Sequence, residues 1–74
     1  MLKANERRQK ILEILCVRRQ ETMENLAQEF NVTTRTIRSD IEELTLVHPI
    51  ETVRGRYGGG VRVADGYYLG RKYL

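Results

Sequence analysis

Several features of common protein classes are scarce or missing in this chain of 74 residues. The single cysteine, Cys16, excludes an intrachain disulfide, as is typical of proteins in reducing compartments. Because His48 is the only histidine, no set of side chains has the spacing of a metal site. Because the N-terminus is hydrophilic and leads directly into a predicted helix, we expect neither a signal peptide nor a membrane span. We therefore expect a cytoplasmic, nucleoid-associated protein without a metal ion or cofactor.

The sequence also lacks the groups that catalysis requires. It contains no evident pair of catalytic carboxylates and no nucleophile with an adjacent base, so an enzyme is disfavoured. A chain of this length buries only about 60% of its unfolded surface, which leaves room for one domain with a small core. We interpret Cys16 as a small side chain at the edge of that core and His48 as a loop residue before Pro49.

Acidic residues are missing where basic residues cluster, so charge is segregated along the chain. The formal net charge is +3 and the isoelectric point is about 9.4, and both values favour anionic partners. Residues 52–63 carry three arginines and no acid, whereas residues 20–34 and 39–53 carry acids but no lysine or arginine.

Two short helices joined by a sharp turn are predicted in the middle of the chain. In the first helix, at about 22–30, one apolar face is formed by Met23, Leu26, Ala27 and Phe30. In the second, at about 34–45, a similar stripe is formed by Ile37, Ile41 and Leu44. Thr22 and Thr33 are suitable N-caps, and Asn31 tolerates the left-handed conformation that ends a helix. This pattern is typical of a helix-turn-helix.

A longer helix precedes this pair, and a basic hairpin follows it. Helix 1, at about 3–18, has no glycine or proline, and its apolar face is expected to close a three-helix core. Residues 50–64 are predicted to form a two-stranded hairpin, or wing. The glycines 58–60 either permit a tight turn or let backbone amides approach a phosphate. The prediction is a mostly helical α+β fold, a winged helix-turn-helix over residues 1–64.

The chain resembles the N-terminal domain of DeoR-type bacterial transcriptional regulators and the broader HTH-11 group of winged domains. The DeoR-type signature begins with an arginine followed by aliphatic residues four and eight positions later, as in Arg7, Ile11 and Leu15. Its second half corresponds to residues 33–41, T-T-R-T-I-R-S-D-I, in which Ser39 replaces the usual arginine or lysine. The wing sequence R-G-R-Y-G-G-G-V-R-V is similar to that of HTH-11 members.

This resemblance covers residues 5 to about 64. It implies sequence-specific binding of double-stranded DNA by a transcriptional regulator, with a repressor as the expected form. Longer relatives carry a ligand-sensing or oligomerising domain after the wing, so the chain is expected to be an excised DNA-binding module or a small regulator that works as a dimer. A winged helix used for protein contacts or RNA binding is the alternative class.

Two sets of residues are predicted to contact DNA. The second helix of the pair, the recognition helix, is expected to lie in the major groove with Arg35 and Arg38 at base edges, while Thr33, Thr34 and the helix N-terminus hold phosphates. The complete set on this helix is Thr33, Thr34, Arg35, Arg38 and Ser39. The wing set, expected at phosphates or in the minor groove, is Arg54, Arg56, Tyr57, Gly58, Gly59 and Arg62.

Three assignments have alternatives that the sequence alone leaves open. Arg38 can instead form a surface pair with Glu42. Arg7 can pair with Asp40 and tie helix 1 to the recognition helix, which is the role we favour for Asp40. The tail, residues 65–74, is rich in tyrosine and leucine, and it either contributes to a two-fold dimer or folds back onto helix 1.

Overall fold

A computed structural model describes residues 2–54 and 59–64. The three helices of this part are α1 (Ala4–Arg18), α2 (Met23–Phe30) and α3 (Thr34–Thr45). The strands are β1 (Gln20–Thr22), β2 (Ile50–Val53) and β3 (Gly60–Val63). They form an antiparallel sheet in the order β1–β3–β2. The mostly helical α+β architecture of a winged helix-turn-helix is confirmed, and each predicted helix differs from the observed one by no more than one residue at its start.

Short polar side chains determine where α2 and α3 begin and where α2 ends. The hydroxyl of Thr22 accepts a hydrogen bond from the backbone N–H of Asn25 at 3.0 Å, and that of Thr33 accepts one from Thr36 at 3.2 Å. Asn31 ends α2 with a φ of 55°, in the left-handed region. The predicted caps are therefore confirmed, and they produce the sharp turn between the two helices.

An apolar core lies where the three helices meet one face of the sheet. Its buried side chains are Ile11, Leu12, Leu15, Met23, Leu26, Ala27, Ile37, Ile41, Leu44, Ile50, Val61 and Val63. The stripes predicted for α2 and α3 are buried except for Phe30, which is partly buried and packs against the core, and α1 contributes Ile11, Leu12 and Leu15. Val61 and Val63 alternate with exposed Arg62 along β3, so the sheet has one buried and one open face.

The wing is the predicted hairpin of β2 and β3, but β1 adds a third strand that we did not predict. Arg19, with a φ of 71°, turns the chain from the end of α1 directly into β1. In β1, Thr22 pairs with Gly60, where an added Cβ would lie 3.0 Å from the backbone oxygen of Glu21. An added side chain would crowd the backbone of β1, so glycine favours this close approach. Because Gln20–Thr22 is short, polar and paired with a distant segment, it carries no local strand signal.

A buried carboxylate on α3 is held by two arginines of α1. The side chain of Asp40 is 1% exposed. Arg7 donates to both carboxylate oxygens, with 3.0 Å between Nη2 and Oδ1, and Nε of Arg8 also donates to Oδ1 at 3.0 Å. The hydrogen bond to Asp40 raises the pKa of Arg7. The predicted Arg7–Asp40 pair is confirmed, and Arg8 is a second partner that the sequence did not indicate.

We expect Asp40→Asn to destabilise the fold by roughly 3 kcal/mol. This value lies at the low end of the range for breaking a buried ion pair, because Arg8 is partly exposed and keeps some hydration. The free energy of unfolding should be measured by urea denaturation. The control is Glu43→Gln, a change at an exposed position of the same helix, expected to alter stability by less than about 0.5 kcal/mol. Equal losses in both variants would contradict a structural role for the Asp40 pairs.

Candidate nucleic-acid interface

The face of α3 that points away from the core carries the side chains predicted to contact DNA. The buried stripe of the helix consists of Ile37, Asp40, Ile41 and Leu44. Thr34, Arg35, Arg38 and Ser39 are all exposed. At about 100° per residue, Arg35 and Arg38 lie within about 60° of each other around the helix axis. The two arginines therefore extend from one surface that a groove of DNA can contact.

The N-terminal end of α3 is partly occupied by its own cap. The hydroxyl of Thr33 caps the helix and also lies 3.1 Å from the hydroxyl of Thr36. The backbone N–H groups of Thr34 and Arg35 have no acceptor within the helix, because the first N–H groups of any α-helix lack one. Together with the helix dipole, these amides favour a phosphate at this end. The geometry thus points to the amides, more than to the Thr33 hydroxyl, as the groups available to an anion.

An open cleft of about 530 Å³ separates the middle of α3 from the wing. Arg38 and Glu42 line its α3 side, and Thr52 and Arg54 line its wing side. Thr52 lies two residues after buried Ile50 in β2, so it is on the face of the sheet that is turned toward the helices. Two arginines that were predicted separately are therefore brought to the same cleft. Glu42 is also part of it, although the sequence suggested for it only a pairing role with Arg38.

Arg62 lies outside this cleft, on the open face of the wing. The strand register places it opposite Glu51 of β2, and its Nε donates a hydrogen bond to the Glu51 carboxylate. The segment that begins at residue 52 has no acid, but Glu51 immediately precedes it and pairs across the hairpin. The charge of Arg62 is therefore partly neutralised within the protein. The composition of residues 52–63, which lack an acid, did not indicate this pair.

Gly59 has a structural function immediately before β3 of the wing. Its φ is +84°, and an added Cβ would lie 3.1 Å from the backbone oxygen of Val53. Its carbonyl accepts a hydrogen bond from the N–H of Met23 at 3.2 Å, which joins the wing to the start of α2. The sequence left two interpretations of glycines 58–60, a tight turn or an approach of backbone amides to a phosphate. The contacts at Gly59 and the close approach of Gly60 to β1 support a conformational role for these two glycines. Phosphate contact by Gly59 stays a prediction.

Some predicted features lie outside the described residues, namely Arg56, Tyr57, Gly58 and the tail at 65–74. Cys16 is half-buried and packs against the core, as expected. Among residues 2–54 and 59–64, no group of three or more histidine, cysteine, aspartate or glutamate side chains could hold a metal ion. None of the helices in the same segments is long and apolar enough to cross a membrane.

The acidic segment at 20–34 is connected to α1 by an ion network. Arg18 Nη1 donates to Glu29 at 2.7 Å and to Glu21 at 2.9 Å. Hydrogen bonds from the side chain of Asn25, the N–H of Thr22 and Arg18 lower the pKa of Glu21. Glu21 is therefore ionised at neutral pH. These carboxylates neutralise an arginine of α1 and leave the charge of α3 unaffected.

The comparison with protein families agrees with this geometry. The HTH-11 model, described as an HTH domain, matches residues 7–62, which include most of α1, all of α2, α3, β1 and β2, and most of β3. No curated protein and no solved structure matches the chain. The match begins at Arg7, the residue that holds Asp40, and ends at Arg62 in the wing. The chain therefore belongs to the HTH-11 family of helix-turn-helix domains, a kind of domain with which transcription regulators bind DNA.

Proposed function

We propose that this chain binds specific sequences in double-stranded DNA and thereby represses transcription as a DeoR-type regulator in the bacterial cytoplasm. The observation that carries the proposal is the placement of Arg38 and Arg54 on two sides of one open cleft beside the exposed face of α3. The DeoR-type assignment is supported by the buried pair of Arg7 and Asp40, since both residues belong to the signature that the chain resembles.

In the proposed complex α3 lies in the major groove, which is wide enough for one helix. Arg35 and Arg38 contact base edges, most favourably O6 and N7 of guanine, and Ser39 reaches the same groove. The amides of Thr34 and Arg35 at the start of α3 hold a phosphate. These contacts are the geometry that helix-turn-helix domains use, and the exposure of all the side chains involved is compatible with it.

The wing supplies a second set of contacts in this proposal. Arg54, directly after β2, lines the same cleft as Arg38 and contacts the DNA backbone beside the groove. Arg56 and Tyr57 extend the same contact or enter the minor groove. Arg62 contributes less, because the Glu51 carboxylate already partly neutralises it.

The experiment that tests duplex binding is a selection from randomised double-stranded DNA, followed by sequencing of the bound fraction. Recovery of one enriched motif supports the proposal. RNA is disfavoured as the partner because the major groove of an A-form helix is too narrow and deep for side chains to read. A duplex affinity that does not fall with rising salt, or binding to a protein but not to DNA, would favour the alternative in which the winged helix serves protein contacts.

The first prediction from this proposal concerns the recognition helix. We expect Arg35→Ala and Arg38→Ala each to weaken binding to the selected site by about 1 to 3 kcal/mol, because each removes one base contact. Affinity should be measured by fluorescence anisotropy at fixed salt. Lys10→Ala, which removes a positive charge from an exposed position of α1, is the matched control. Unchanged affinity in both α3 variants would exclude this helix from base reading.

The second prediction concerns the wing. We expect the double variant Arg54→Gln, Arg56→Gln to bind all duplexes more weakly and to lower the slope of log K against log salt by roughly one unit per lost phosphate contact. Arg62→Gln should change the slope less, because of its pair with Glu51. A loss restricted to one base position would instead indicate that the wing reads bases.

We also propose that two copies bind adjacent half-sites. One winged helix covers few base pairs, so specificity in a genome generally requires a second domain. The described part of the chain exposes large apolar side chains at Val17, Leu46 and Val47. Arg19 Nη2 donates to the carbonyl of Ala64 at 2.8 Å, which holds the residue that precedes the tail beside the end of α1. This position is compatible both with tail-mediated pairing and with a tail that folds back onto α1.

The third prediction distinguishes these two arrangements. We expect the full chain to sediment as a dimer at high micromolar concentration and a chain that ends at Ala64 to sediment as a monomer, because the tyrosine- and leucine-rich tail is removed. The truncated chain retains every described element and should keep its thermal unfolding transition. Monomeric behaviour of both chains would contradict the dimer.

A further inference from the structure

An acidic side chain stands on the face of α3 that otherwise carries arginines. Glu42 is exposed and lines the cleft together with Arg38 and Arg54. At about 100° per residue, it lies about 40° from Arg38 and about 20° from Arg35 around the helix axis. A groove of DNA that follows this face of α3 beyond Arg38 therefore also faces the Glu42 carboxylate.

A carboxylate in this position is repelled by the phosphates on both sides of the groove, so it opposes non-specific binding. Only two bases offer an amino group in the major groove, namely cytosine through N4 and adenine through N6. Adenine also presents the acceptor N7 beside N6, which repels a carboxylate, whereas cytosine presents only the donor. Cytosine is therefore the one base that stabilises Glu42 in the groove.

The helix rise indicates how far Glu42 lies from the nearest arginine. Glu42 lies four residues beyond Arg38, or about 6 Å along the helix axis. The base that Glu42 contacts is therefore expected close to the base that Arg38 contacts, and the selected motif gives the spacing.

The fold does not require the Glu42 carboxylate. The side chain is exposed, and the hydrogen bond that Thr45 Oγ1 donates near the end of α3 goes to the backbone carbonyl of Glu42 at 2.7 Å. Glu43, the next residue, has the same chemistry and is also exposed, but it lies about 100° around the helix and is not part of the cleft lining. It therefore provides a matched control within the same turn.

We propose that Glu42 is a specificity-determining residue that accepts a hydrogen bond from N4 of one cytosine in the DNA site. The proposal rests on the proposed binding of duplex DNA. Arg35 and Arg38 attract the duplex, and Glu42 lowers the affinity for every sequence without a cytosine at its position. The carboxylate thus lowers affinity for random DNA and increases the difference between the correct site and its single-base variants.

The test compares the wild-type chain, Glu42→Gln and Glu43→Gln in the selection from randomised duplexes. On the recovered site, the cytosine is then replaced by thymine, which exchanges the N4 donor for the O4 acceptor. We expect the wild type and Glu43→Gln to lose affinity on the order of tenfold on this replacement, and Glu42→Gln to lose much less. Glu42→Gln should also bind random DNA more tightly and accept adenine at this position, because glutamine pairs with N6 and N7 of adenine.

The possible results separate this proposal from the proposed function. A selected motif that is identical for the wild type and Glu42→Gln, with equal loss on cytosine replacement, overturns the role of Glu42 and leaves duplex binding intact. An equal gain in affinity by Glu42→Gln and Glu43→Gln on all duplexes also overturns the proposal. In that case the Glu42 carboxylate only repels the DNA phosphates, whatever the sequence. Failure of the wild-type chain to enrich any motif overturns both proposals. The circular dichroism spectra of the two variants establish that they share the wild-type fold.

Discussion

The orientation of α3 depends on the contact of Asp40 with Arg7 and Arg8. A carboxylate that is almost fully removed from water is stable only when its oxygens are paired, and here both arginines come from α1. Asp40 lies only two residues beyond Arg38, so a rotation of α3 that changed the direction of Arg38 would also break the buried pairs. The buried pairs of Asp40 therefore determine the direction in which the exposed face of α3 points.

The wing is fixed by an independent set of contacts. Strand β1 pairs with β3, and the carbonyl of Gly59 accepts a hydrogen bond from the first residue of α2. The wing is thereby attached, immediately before β3, to α2, the helix that precedes α3. The cleft between Arg38 and Arg54 results from both anchors, because one sets the rotation of α3 and the other sets the position of the hairpin. A change at Asp40 alters the cleft although Asp40 is not part of its lining, whereas Met23 and Gly59 of the second anchor line the cleft themselves.

The sequence predicted those features that depend on near neighbours along the chain. The caps at Thr22 and Thr33 and the end of α2 at Asn31 follow from local backbone chemistry, and the helical stripes follow from periodicity. Strand β1 was missed because its stability comes from a partner strand far along the chain and from the absence of a side chain at Gly60. The pair of Arg62 with Glu51 was missed for the same reason, because it crosses the hairpin and depends on strand register.

The charges on α3 favour discrimination over tight non-specific attachment in the proposed complex. Affinity for any duplex comes mainly from cations that neutralise phosphates. On this helix Ser39 stands where the family signature has a basic residue, and Glu42 adds a negative charge to the same surface. The attraction of α3 to the DNA phosphates is then weak, and most of the binding energy that this helix contributes at a site must come from base contacts. Weak single domains gain affinity steeply when two are joined, because the second binding event becomes intramolecular. The charge pattern of α3 is thus a physical argument for the proposed binding of two copies to adjacent half-sites.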